Sequence, residues 1–472
     1  MSIPASIQHL DNKSVIIVGG GWSGLACAVT LANRGIKVQL LESARQLGGR
    51  ARRIQFKKFI SGQSIDNGQH IMLGAYHSTL GLFKLLGIDE ADILERQPLD
   101  LNLYSPCHCS IRLKAPVLPA PFHLIFALLS TQGLTLNERI SAIKMSLKLA
   151  VNHYSLKQDL SVSELLKKHQ QPAIVIQTLW EPLCLATMNT PIHHASAQVF
   201  LNTLKDSFSR NRKDSDLLFF KNNLSAIFSD PVLEFISQHE GQVNCAAKVI
   251  ELNIRSSEKH LQSSEKPVYD FVITTPDTSY QSHTVVLATP PHISERLLHS
   301  MNNLSIVAKK SFLKPENASL NFNYEPIYTV YMQYPPSVKL PCKMVGFFDT
   351  IGQWAIDRSL CQQDGLIAMV ISGPGKQTQM PHNQLADLIH QELKVCIPDL
   401  PQWLDFRIIT EKRATFSCTV NIEQQRPLNS TIIPGLFLAG DYTNTHYPAT
   451  LEGAIRSGIN TAQLIINRNI SK

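Results

Sequence analysis

The stretch SVIIVGGGWSGLACAVTLANRGIKVQLLE, Ser14 to Glu42, constrains the fold of this chain more than any other. Ser14–Val18 is a short apolar run of β character. Gly19-Gly20-Gly21-Trp22-Ser23-Gly24 then fits G-x-G-x-x-G. From Leu25 the pattern turns helical, with Leu25, Ala28, Val29 and Ala32 on one face and Gly35 placed to end the helix. A second strand, Lys37 to Leu41, ends in Glu42. Each part has its own physical role. Gly19 allows the tight turn, Gly21 lets a pyrophosphate approach the backbone, and Gly24 lets helix and strand pack closely. The helix N-terminus offers free N–H groups and partial positive charge to the phosphates. Glu42 stands where a ribose hydroxyl would donate to it, and an acid there disfavours a 2′-phosphate. A purely structural glycine loop would leave Glu42 without a purpose. The stretch predicts an α/β, Rossmann-like dinucleotide-binding unit, with Trp22, Ser23 and Ser43 also at the ligand.

At 472 residues the chain exceeds one ordinary core, so more than one unit is expected. Its charge of +7 is spread without a dense Lys/Arg run, which argues against a nucleic-acid partner. Nine scattered cysteines lack paired CxxC spacing, so no metal site is expected, and reduced thiols point to a cytoplasmic setting. No signal peptide is visible before Ser14, and no apolar run of about 18 residues predicts a membrane span.

Glu42 is followed by SARQLGGRARR, with Gly48-Gly49-Arg50. This tail resembles the flavin amine oxidase and phytoene desaturase superfamily. The resemblance implies FAD, with Gly49 and Arg50 along the pyrophosphate. Near the other end, PGLFLAGDYTNTHYPATLEGAIRSGINTA is similar to the C-terminal FAD motif of that superfamily. Gly440 and Asp441 would reach the phosphate and ribityl region. Thr450, Leu451, Glu452 and Ala454 would open a helix under the flavin ring, where a helix N-terminus favours negative charge. Between these ends, CAAKVIELNI (Cys245–Ile254) reads as a strand, with Val249 implied at the adenine, and HTVVLATPP resembles the returning strand of the same unit. The expected layout is a discontinuous FAD-binding domain from residues 1–74, 241–299 and 425–472. A mixed α+β substrate domain takes residues 75–240 and 300–424, and the polar insert Arg255–Asp270 reads as an exposed hairpin loop. No second G-x-G-x-x-G stands in strand–helix context, so electrons come from or go to an external partner.

SIDNGQHIMLGAYHSTLGLFKLLG, with Asn67-Gly68-Gln69-His70, resembles a narrower group: bacterial hydroxysqualene dehydroxylases of hopanoid biosynthesis, flavin enzymes also described as squalene-associated desaturases. LWEPLCLATMNTP, ASAQVFLNTLKDSF and QWAIDR extend that likeness over nearly the whole chain. It implies a C30 isoprenoid alcohol, reductive loss of its hydroxyl, and contact of Asn67, Gly68, Gln69 and His70 with FAD. A proton donor to the leaving oxygen would help. The candidates are His70, for its ordinary pKa, and Glu181, whose carboxyl sits between apolar segments. Glu452 is the third, more simply placed as a helix-start residue.

APVLPAPFHLIFALLS followed by LTLNERISAIKMSLKLAV reads as an apolar, proline-punctuated segment and an amphipathic helix. Residues 115–151 are therefore a candidate membrane-facing part, a lid over the substrate, or an ordinary part of the domain. Alternatives left open are a carotenoid-type desaturase, an amine oxidase, whose aromatic cage Tyr442 and Tyr447 supply unconvincingly, and a non-catalytic flavin-bound partner of prenyl synthases.

Overall fold

The computed structural model describes residues 7–9, 14–56, 59, 64–256, 269–301, 312–315 and 317–470. Val15–Val18 is buried at every position, as befits a strand covered on both faces. It lies inside a parallel five-stranded sheet ordered Gln242–Asn244, Val38–Leu41, Val15–Val18, Val285–Leu287, Leu436–Leu438. Three distant stretches of chain thus build one α/β layer. The helix Trp22–Ala32 packs on the C-terminal helix Leu451–Ile470. Gly458 permits this close crossing: a Cβ there would stand 2.2 Å from the Ser23 carbonyl oxygen.

Glu251–Ser256 and Tyr269–Thr274 pair antiparallel as the arms of the expected hairpin. The tip of that insert, residues 257–268, lies outside the described residues. The strand expected over Cys245–Ile254 begins only at Glu251. Before it, the Ala246 and Ala247 N–H groups donate to the carbonyls of Ala44 and Glu42, at 2.8 Å each. The segment is tied to the turn after Glu42 and has no ladder to join.

A seven-stranded sheet forms the second layer, ordered Asp405–Phe416, Tyr324–Gln333, Leu366–Ser372, Trp354–Asp357, Met344–Phe347, Asp100–Tyr104, Ile111–Lys114. Its strands pair antiparallel except Met344–Phe347 with Asp100–Tyr104. Helices Phe122–Leu129, Leu136–Val151, Glu181–Met188 and Ala197–Phe208 complete this half. Thr135 and Glu138 form a capping box at the start of Leu136–Val151, which fixes where that helix begins.

A flavin-shaped cradle opening into an apolar chamber

The glycine turn is held by its own acid. Gly20 N–H donates to Glu42 Oε2 at 2.6 Å, while the Ala44 N–H and the Ser43 hydroxyl donate to Oε1 at 2.7 and 3.1 Å. Three donors fix this carboxylate and leave it capacity for a ribose hydroxyl. Gly21 runs beside Gly48 and Gly49, with Gly48 N–H donating to the Gly20 carbonyl at 2.8 Å. A Cβ on Gly49, whose φ is +60°, would lie 3.0 Å from Gly21 Cα, while one on Gly21 would meet nothing nearer than 4.0 Å. This side-chain-free floor suits a pyrophosphate. Gly24 stands apart from the cavity wall: its Cβ would lie 2.0 Å from the Gly19 oxygen, so its role is helix-to-strand packing.

Arg50 joins the two ends of the chain. Its Nη2 donates to Asp441 Oδ2 and its Nη1 to the Ala414 carbonyl, both at 2.6 Å. Asn67 Nδ2 donates to the Arg50 carbonyl at 3.0 Å. The loop after Asp441 is organised by Arg426, which is fully buried and donates to the carbonyls of Asp441, Tyr442, Thr443 and Tyr447. Sequence reasoning missed Arg426, because no local pattern marks a side chain that serves backbone oxygens up to 21 residues away. Thr450 caps the C-terminal helix, accepting from Gly453 N–H at 3.1 Å, and Thr450, Leu451 and Ala454 face the cavity.

Glu452 does not. Its carboxylate accepts from the backbone N–H of Ser78 and Thr79, the Thr79 hydroxyl and Arg456 Nε, at 2.8 to 3.1 Å. It caps the helix His77–Leu85 and is absent from the cavity wall, which corrects its placing with the cofactor residues. Thr178, Leu179, Trp180, Pro182, Leu183, Leu185 and Ala186 line the cavity, and Glu181, the other carboxylate candidate, lies among them in sequence but does not. Burial raises its pKa and His193 opposes the rise.

The turn Asp66–His70 is pinned from the sheet. Arg358, in the QWAIDR segment, lies 3.6 Å from Asp66 Oδ2 and donates to Gln69 Oε1 at 2.7 Å. His70 lines the cavity with Asn67, Gly68 and Gln69. Burial, reinforced by Arg50 and Arg358, lowers its pKa to about 4. Its Nδ1 is 3.2 Å from the Gly68 carbonyl. A carbonyl only accepts, so the neutral ring carries its proton on Nδ1 and leaves Nε2 as an acceptor. The ring that suggested a proton donor is therefore built as an acceptor at neutral pH.

A cavity of about 760 Å³ runs from this cradle, past Ser43, Val249 and Gly440, into an apolar chamber. One face of the seven-stranded sheet is its wall, read off in alternate residues: Leu101 and Leu103, Trp354 and Ile356, Val370 and Ser372, Ile327 and Thr329, Ile409 and Glu411. Leu124, Ala127 and Leu128 close it from the helix Phe122–Leu129. The model of the family described as flavin containing amine oxidoreductase matches residues 22–466. The chain belongs to that family. As a flavin-containing amine oxidoreductase it is an FAD-dependent enzyme, and the glycine floor, Glu42 and Arg50 fit that cofactor. It is 24% identical to a hydroxysqualene dehydroxylase of Zymomonas mobilis subsp. mobilis, over 96% of this chain and 99% of that one. It is 28% identical to a 15-cis-phytoene desaturase of an Oncidium hybrid cultivar, over 98% of this chain and 79% of that one. Cyclohexylamine oxidase from Brevibacterium oxydans shares the fold, with a TM-score of 0.69 at 14% identity, over 97% of this chain and all of that one.

Proposed function

We propose that this enzyme reductively removes the hydroxyl group of a C30 isoprenoid alcohol, converting hydroxysqualene to squalene for hopanoid synthesis. The observation that carries the reading is a single cavity, polar and glycine-floored at one end and walled by Leu, Ile and Val at the other. Reduced FAD, when bound, would supply a hydride to the carbon that loses its hydroxyl, which takes up a proton and leaves as water. The protein's share is to hold a long hydrocarbon along the sheet and keep water from the reacting carbon. Relatives named hydroxysqualene dehydroxylase support this substrate. The electron donor is external. A second reading is favoured by His70: a neutral imidazole with a free acceptor suits removal of a proton, as a desaturase on a polyene would need. Two incubations followed by product mass separate the readings. Hydroxysqualene with reduced holoenzyme yields squalene under the first, and phytoene with oxidised holoenzyme yields a product two hydrogens lighter under the second. Neither product would defeat both.

The reading extends to where the enzyme works: docked on the inner face of the cytoplasmic membrane, collecting its oily substrate there. Among the described residues no helix is long and apolar enough to cross a bilayer. The helix Phe122–Leu129 nevertheless has two apolar faces. Leu124, Ala127 and Leu128 line the chamber, while Phe122 and Phe126 are about half exposed, and Val117 beside them is 82% exposed. On the next helix, Leu147 and Val151 share an exposed face with Lys144 and Lys148. Apolar side chains flanked by lysines suit an anionic lipid surface. Phe126→Asp is expected to abolish flotation with phosphatidylglycerol vesicles and leave FAD content intact. Flotation equal to wild type would refute docking at this face.

A further inference from the structure

We infer that Thr329 and His70 form a two-point site that reads the alcohol oxygen of the substrate, an inference that rests on the isoprenoid-alcohol reading above. Thr329 sits on the strand Tyr324–Gln333, in register with Ile409 on one side and Val370 on the other. All three face the cavity, so Thr329 is a lone hydroxyl in an apolar row of its wall. It is 1% exposed, and its Oγ1 has no hydrogen-bond partner. Valine would fill the same volume on a strand without burying an unsatisfied hydroxyl. An unpartnered hydroxyl at such a place is explained if its partner arrives with the ligand.

Across from it lies the turn at Gly68. The point that a Cβ on Gly68 would occupy lies 3.7 Å from Thr329 Oγ1 and 3.9 Å from His70 Cε1, the only atoms within 4 Å among the described residues outside Gly68 and its two chain neighbours. Thr329 and the His70 ring thus flank the side-chain-free face of Gly68, in the turn pinned by Arg358. The two groups are complementary. Thr329 has an O–H to donate, and the His70 Nδ1 contact with the Gly68 carbonyl leaves Nε2 as the acceptor. An alcohol oxygen is both donor and acceptor, so it satisfies both partners at once, and a hydrocarbon satisfies neither. The donor half also points the right way for chemistry, since a hydrogen bond given to the departing oxygen helps it leave.

The test is equilibrium binding to the oxidised holoenzyme, followed by the shift of the flavin absorption bands, with a C30 allylic alcohol and with squalene. Wild type is expected to prefer the alcohol. Thr329→Val is expected to lose about fivefold in alcohol affinity with squalene binding and FAD affinity unchanged, and Thr329→Ser to keep the preference. Should the valine variant fail to take up FAD, Thr329→Ala carries the same comparison. An unchanged preference in these variants overturns the site. So does a change in FAD affinity alone, which would make the cofactor the partner of Thr329. If wild type binds neither C30 compound, the substrate reading itself falls, which is a different result from the loss of a preference.

Discussion

The cradle and the chamber share one cavity but are built by opposite means. In the cradle, specificity lies in backbone: glycines that exclude side chains, and a carboxylate fixed by three neighbouring donors. In the chamber it lies in side chains, presented in alternate positions by strands up to 310 residues apart, from Leu101 to Glu411. Local geometry can write the first into a short motif. Only the register of a sheet can write the second. The two regions should therefore be separable by mutation.

The largest effect should come from a residue that the sequence placed at the cofactor and the structure placed behind it. Glu452→Ala strips four donors of a fully buried acceptor and leaves Arg456 with Asp206 as its remaining carboxylate partner. We expect a loss of ~3–5 kcal/mol in denaturant unfolding. The surviving folded fraction should keep near-normal FAD affinity, and a Glu452 variant of normal stability with weakened FAD would reverse the correction. Next, Glu42→Ala should weaken FAD binding by roughly ten- to a hundredfold in a flavin-fluorescence titration. C30 binding should persist wherever FAD is saturating. Its counterpart in the chamber is Val370→Trp. It should cut C30 affinity about tenfold by obstructing the wall, with FAD titrating as in wild type. Loss of FAD from this variant would dissolve the contrast between the regions.

The smallest effect is one of pH at the junction. The unfolded chain takes up a proton on His70 below its ordinary pKa of 6.5, and the folded protein refuses it down to about 4. The depressed value adds stability that is complete above the ordinary pKa and is lost as pH falls through that window. Thermal unfolding of the FAD-free protein should therefore drop more steeply between those pH values in wild type than in His70→Gln. Parallel curves would show that the ring is not held neutral.

The sequence was legible where chemistry is local. The strand, glycine turn, helix and acid from Val15 to Glu42 sit as their spacing predicts, and Gly440-Asp441 leads into the helix Leu451–Ile470. The α/β class followed from the same signals. Direction was not legible. Glu452 lies on a helix whose start borders the cavity, yet its carboxylate is spent on the helix His77–Leu85, because a residue's face is set by what packs against its helix. Cys245–Ile250 has strand composition, but its Ala246 and Ala247 N–H groups go to the Glu42 turn. Arg426 and Thr329 carried no signal at all. Each meets atoms distant in sequence, buried backbone oxygens for one and the Gly68 turn for the other.

The central claim is that the flavin cradle and the hydrocarbon chamber are one working site. Anaerobic mixing of the reduced holoenzyme with the C30 alcohol tests it most directly. The account predicts that the flavin absorbance returns as squalene appears, one equivalent for each flavin. A flavin that stays reduced while the alcohol is bound and unconverted would contradict it.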